Sequence, residues 1–120
     1  MAEDKIRTGT ATIALGENLS AAATLEPGWV LIGVQTPSTW DTAKVSFQVS
    51  LDGSTYVVLF DKTTATEYSS AATIAASKYW PVDSDNFWGV RYIKIQSGTS
   101  AATTAQADET IVTLVFYKAT

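Results

Sequence analysis

From Lys44 to Leu51 the side chains alternate: Val45, Phe47, Val49 and Leu51 are apolar, and Ser46, Gln48 and Ser50 are polar. A period of two puts the four apolar residues on one face, the signature of a half-buried β-strand. Asp52-Gly53-Ser54 follows at once, and Asp-Gly between apolar runs is a strong hairpin signal because glycine accepts the positive φ of a tight turn. Residues 56–60, Tyr-Val-Val-Leu-Phe, then read as the returning strand, and apolar side chains on both faces place it centrally or beneath a covering loop.

Similar β-branched and aromatic enrichment marks residues 10–15, 29–35, 91–96 and 110–117, with weaker runs at 19–25, 68–75 and 78–82. Turn chemistry separates them at Pro27-Gly28, Pro37-Ser38, Asp83-Ser84-Asp85-Asn86 and Gly98-Thr99-Ser100. Roughly eight short strands in this rhythm predict an all-β fold, an antiparallel β-sandwich of jelly-roll type. No helical stripe appears, and the Ala-rich stretches 20–24 and 71–76 are too short to be stable helices alone. A length of 120 residues suits one domain with one core. Residues 1–9 read as an N-terminal arm and 10–120 as the sandwich. Residues 99–108, rich in Ser, Thr and Ala, read as a long loop that approaches the roughly 12 residues beyond which loops are usually functional or disordered.

The residues that are missing narrow the chemistry. With no Cys and no His, disulfides, thiol nucleophiles, Ser-His-Asp triads, ordinary zinc sites and imidazole acid–base catalysis are all removed. The remaining catalytic candidates are the carboxylates Asp41, Asp52, Asp61, Asp83, Asp85, Asp108 and Glu109, and no motif sets two of them across a cleft. Asp52, Asp83 and Asp85 read as turn and cap residues. Asp83-Ser84-Asp85-Asn86 resembles the start of a calcium loop but lacks its glycine and distal glutamate. Gly9 and Gly98 fit no phosphate-cradling pattern. The chain is therefore expected to be no enzyme and to use no cofactor or metal. A net charge of −4 gives a nucleic acid no field to follow. No apolar run reaches the roughly 18 residues of a membrane span, and the charged opening Met1-Ala-Glu-Asp-Lys-Ile-Arg is unlike a secretory signal, so a soluble protein made in a cytoplasm is expected.

Aromatic residues are the other candidates for a site. Tyr79-Trp80 and Phe87-Trp88 bracket the acidic loop, and Trp29 and Trp40 flank the 30–34 run. About three of the four tryptophans are expected in the core. An exposed one beside a carboxylate would anchor a protein interface or stack on a sugar. Arg91 alternates onto the face of Ile93 and Ile95, where it either pairs at the core rim with an acid such as Asp85 or projects from an edge.

Two resemblances rest on particular residues. Val45-Ser46-Phe47-Gln48-Val49-Ser50-Leu51-Asp52-Gly53-Ser54-Thr55-Tyr56, followed by Arg91-Tyr92-Ile93-Lys94-Ile95, resembles the pattern of discoidin-like, galactose-binding-type jelly rolls. It covers about a third of the chain and speaks to the fold more than to sugar binding. Taken whole, the order of the 29–40 run, the Ser-Leu-Asp-Gly hairpin and the 89–100 run is similar to small virion proteins of tailed bacteriophages, the capsid decoration or cement proteins. That resemblance implies a sandwich on the outer face of the head, often a homotrimer, binding the major capsid protein across neighbouring subunits and located in the virion. A carbohydrate-binding or host-adhesion module is the alternative, with a surface glycan as ligand. Candidate partner-binding residues are Ile6, Arg7, Trp40, Trp80, Trp88, Thr99 and Thr103.

Overall fold

The computed structural model describes residues 5–119. Within them the strands are β1 (Ile6–Ile13), β2 (Ala23–Thr24), β3 (Trp29–Gln35), β4 (Val45–Ser50), β5 (Val57–Val58), β6 (Tyr79–Pro81), β7 (Tyr92–Ser97) and β8 (Thr110–Lys118), with a short 3-10 helix at Ser84–Phe87. They form two four-stranded sheets, ordered β1-β8-β3-β6 and β2-β7-β4-β5.

The pairing is nested. β1 pairs with β8, β2 with β7, β3 with β6 and β4 with β5, all antiparallel. This is one long two-stranded ribbon whose ends are β1 and β8 and whose bend is the β4–β5 turn. Rolling the ribbon brings β3 against β8 and β4 against β7, and the result is the double-sheet jelly roll. The β-sandwich expected from strand rhythm is therefore present, and the winding comes from pairings that no local period encodes.

Alternation explains the core. Val45, Phe47 and Val49 of β4 and Ile93 and Ile95 of β7 face Leu31 and Val34 of β3, Val112 and Leu114 of β8, and Ala11 and Ile13 of β1, all of them buried. Phe47 packs against the Tyr68 and Trp80 rings, with centroids 6.0 and 5.9 Å away and the two rings 5.7 Å from each other, and meets Phe87 edge-on at 5.1 Å. Offset and edge-on pairs of this kind add to the gain from area burial alone. Gly9 sits mid-strand because a Cβ there would come within 3.0 Å of the Phe116 ring.

The β4–β5 turn forms as its sequence requires. Gly53 has φ of +83°, and Asp52 Oδ1 accepts from the Ser54 and Thr55 amides at 2.8 and 2.9 Å. Leu51 departs from the expected face, because the strand ends at Ser50 and the turn leaves Leu51 73% exposed. The returning strand is also not central. β5 is a two-residue edge strand with Val57 exposed, because the chain turns away into a small hairpin closed by the Asp61 amide donating to Thr66 O at 2.7 Å. The rest of the β4 edge is taken by isolated bridges, Ser69 to Ser46 and Ile74 to Ala43.

One further expectation is corrected. Ile6, Arg7, Thr8 and Gly9 are no arm but the first half of β1, paired in register with Tyr117, Phe116, Val115 and Leu114; residues 1–4 of the expected arm lie outside the described residues. The 99–108 segment is the expected loop, tied down along its length. A turn runs from Gly98 to Thr103, and Gln106 is fully buried, its Oε1 accepting from the Asp41 amide at 2.7 Å. Gln106 Nε2 donates to Ser97 Oγ at 2.8 Å and to Asp41 O at 3.1 Å.

Candidate functional site

The expected contact residues divide between the two ends of the sandwich. Ile6 and Arg7 lie where β1 enters and β8 leaves. Arg7 stacks its guanidinium 4.4 Å above the Trp29 ring and pairs with Glu26 at 3.3 Å. An open groove of about 270 Å³ runs beside this pair, floored by Leu25 and Phe116. Thr99 and Thr103 lie at the opposite end, Thr103 exposed and Thr99 partly so. There the Glu67 carboxylate accepts from the Ser100 amide at 3.0 Å and from its hydroxyl at 2.9 Å.

The tryptophans take three different roles. Trp40 is 3% exposed and its Nε1 donates to Ile74 O at 2.9 Å. It plugs the end of the core and offers a partner no surface, against the expectation that it makes an external contact. Trp29 is buried, and Trp80 is half-buried in the stack on Phe47 and Tyr68. Trp88, just past the 3-10 helix, is 57% exposed. Two of the four are thus in the core, one fewer than expected, because Trp80 lies on the short β6 at the sheet edge.

Several of the carboxylates hold local backbone in place. Asp83 caps the 3-10 helix by accepting from the Asp85 amide at 3.1 Å, Asp85 lies 3.7 Å from Lys62 Nζ, and Asp41 accepts from the Ala107 amide at 2.8 Å. Three backbone and side-chain donors, led by the Thr55 and Ser54 amides, hold the Asp52 carboxyl below its ordinary value. Burial pushes the Tyr68 phenol up, against the hydrogen bond its oxygen accepts from the Asp83 amide. Arg91 is exposed and pairs with no acid among the described residues; Asp85 is taken by Lys62. No cluster of three metal-ligating acids occurs among the described residues.

The most distinctive surface is the outer face of the first sheet. Residues opposite one another in an antiparallel ladder share a face. By register this face carries Ile6, Thr8, Thr10 and Thr12 from β1 against Tyr117, Val115, Thr113 and Ile111 from β8. Across β3 and β6 it continues with Val30, Gly33 and Gln35, then Pro81 and Tyr79. The hydroxyl end of the Tyr79 side chain lies over Gly33, where a Cβ would collide with it. No Asp, Glu, Lys or Arg occupies any of these positions, and Ile6, Ile111 and Tyr117 are exposed apolar residues on it. On the opposite sheet, Lys94 projects from the outer face, its ammonium 4.3 Å above the Tyr56 ring. The remaining described charges lie in loops and at the strand ends. Sequence reasoning missed this face by weighing loops and tryptophans. Its signal was present in the alternating Thr8, Thr10, Thr12 and Ile111, Thr113, Val115, Tyr117.

No protein family matches the sequence, and no curated protein is similar to it. Among solved structures the chain is similar to one described as "Cyanophage Pam1 capsid asymmetric unit", at 13% identity and a TM-score of 0.36 over 93% of this chain and 84% of that one. At that score the likeness carries neither fold nor function, and the fold stands on the strand pairing.

Proposed function

We propose that the protein is a structural component of a phage particle, a decoration protein that binds the outer surface of the head and stabilises contacts between neighbouring copies of the major capsid protein. The observation that carries this reading is the charge-free outer face of the β1-β8-β3-β6 sheet. An ordered face of Thr, Val, Ile and Tyr packs against a partner without stripping water from ions, which is the costly part of burying a surface. The resemblance of the 29–40, hairpin and 89–100 runs to decoration proteins agrees with it. On this reading the protein works by binding alone, needs no cofactor, and resides in the virion after synthesis in the host cytoplasm. The homotrimer is an expectation of the resemblance.

Co-sedimentation with heads stripped of the protein tests the reading. Wild type pellets with heads, and Thr113→Lys, which puts a charge in the middle of the face, does not. Equal binding by the two would remove the face from the interface, and failure of the wild type to bind would remove the reading. One observation favours a second reading, a glycan-binding module: Trp88 is 57% exposed and follows directly on the turn that carries Asp85. Sugar stacking there would quench Trp88 fluorescence in a titration, and a silent titration would exclude it.

A further inference from the structure

The β4–β5 turn carries the one Asp-Gly or Asn-Gly sequence in the chain, Asp52-Gly53. Such a pair is a chemical weak point as well as a turn signal. The Gly53 amide nitrogen can attack Cγ of Asp52, forming a new N–C bond, losing its proton and releasing the carboxyl hydroxyl as water. The succinimide ring then takes water back at either carbonyl. Opening at one restores aspartate. Opening at the other gives isoaspartate, with Cβ inserted into the main chain and the α-carboxylate left as the side group. Glycine sets no Cβ in the way of the attack, and Asp52, Gly53 and Ser54 are exposed to the water the reaction uses.

The fold opposes this chemistry at each reacting group. Ser50, 2% exposed at the end of β4, directs its whole hydrogen-bonding capacity here. Its hydroxyl accepts from the Gly53 amide at 2.9 Å and from the Asp52 amide at 3.2 Å, and donates to Asp52 Oδ1 at 3.0 Å. One donor and two acceptor sites are all a serine hydroxyl has. A neutral hydroxyl is too weak a base to draw off the Gly53 proton, so the contact pins the amide in the turn and does not activate it. Asp52 Oδ1 also accepts from the Ser54 and Thr55 amides at 2.8 and 2.9 Å. Ring closure requires the carboxyl to leave these donors and bring Cγ onto the Gly53 nitrogen in an attacking arrangement. The same donors favour the carboxylate over the acid, and the carboxylate has no hydroxyl to release.

We propose that Asp52-Gly53 is a latent isomerisation site and that the Ser50 hydroxyl is the latch that keeps it closed in the folded protein. The only co-reactant is water. Isoaspartate at this point lengthens the main chain within the turn and takes the carboxylate away from the Ser54 and Thr55 amides. The turn that sets the pairing of Val49 with Val57 is then lost. The inference concerns the chain itself and does not depend on head binding.

The test holds the full chain for weeks in warm neutral buffer and counts isoaspartate at residue 52 by peptide mapping, with electron-transfer fragmentation separating it from aspartate of equal mass. The folded wild type is expected to isomerise about tenfold or more slowly than the same chain unfolded in urea, because the turn must open before the ring can close. Ser50→Ala, which fits the same space, should close most of that gap while keeping the wild-type circular dichroism. Gly16→Ala, which strains a different loop, controls for general loss of stability and should leave the folded rate at the wild-type value. Hydrogen exchange on the wild type gives a second reading: the Gly53 amide should be protected although its residue is exposed. If Ser50→Ala does not fold, the wild-type rate ratio and the Gly53 exchange decide. A folded wild type that isomerises as fast as the unfolded chain, a folded Ser50→Ala no faster than wild type, or an unprotected Gly53 amide overturns the proposal.

Discussion

Truncating Gln106 to alanine should cost far more than its place in a Ser/Thr/Ala loop would imply. The amide makes three hydrogen bonds, at 2.7 Å from the Asp41 amide, 3.1 Å to Asp41 O and 2.8 Å to Ser97 Oγ. Asp41 is exposed, so water repairs its side of the loss, but Ser97 is fully buried and its hydroxyl is left stranded. At about 1 kcal/mol for each of the two bonds to Asp41 and about 1–3 kcal/mol for the orphaned Ser97 hydroxyl, Gln106→Ala should lose about 3–5 kcal/mol. For a domain of this size that is a fall in Tm of about 10–20 °C, read by calorimetry together with urea unfolding. Thr103→Ala, exposed in the same loop, is the control and should stay within about 0.5 kcal/mol of wild type. A Gln106→Ala loss below about 1 kcal/mol would refute the view that this amide holds the loops of that end together.

Three other outcomes follow from the geometry. Asp52→Ala should be less stable than wild type near neutral pH. The depressed carboxyl contributes above its unfolded value of 3.8 and loses that contribution as pH falls through the folded value, so the gap should close in acid, as urea midpoints across pH would show. Tyr68 should titrate above its ordinary value in ultraviolet difference spectra; because folding raises that value above 10.0, its ionisation draws stability down as pH climbs past that point, and Tyr68→Phe should remove this alkaline loss. Gly98→Ala should destabilise far more than Gly16→Ala. Both have positive φ, but a Cβ at Gly98 runs into the backbone of Ala102 and Thr103 while one at Gly16 meets open space; Gly16→Ala should cost about 1–2 kcal/mol and equal losses would contradict this packing.

Legibility in the sequence tracked the range of the forces involved. β3 runs over the residues its β-branched content marks, and the Asp52-Gly53 hairpin forms where the turn chemistry puts it. These are local matters, decided by side-chain period and backbone freedom. The start of β1 was hidden because Arg7 and Gly9 break the apolar pattern, and only the ladder to β8 makes them a strand. Trp40 looked like surface because it stands among Pro, Ser, Thr and Asp, yet Ile74, far along the chain, accepts its indole N–H. Gln106 likewise takes its meaning from Asp41 and Ser97. The uncharged outer face lay open to reading as two alternating runs, but only the register between β1 and β8 joins them into one surface.

The rolled ribbon also sets the order in which the molecule can be made. Its innermost pair, Val49 with Val57, joins residues eight apart, while its outermost, Ile6 with Tyr117, joins residues more than a hundred apart. β8 stands between β1 and β3, so the first sheet has no continuous form until the last strand to be synthesised is available. A chain leaving the ribosome can close the β4–β5 hairpin and the β4–β7 ladder early, yet it carries the apolar inner faces of Leu31, Val34, Ile93 and Ile95 only partly covered until residues 110–118 arrive. Completion is then a single late event, with Val112 and Leu114 inserting last, and the interval before it is when the nascent protein is most open to capture by chaperones or by its own kind.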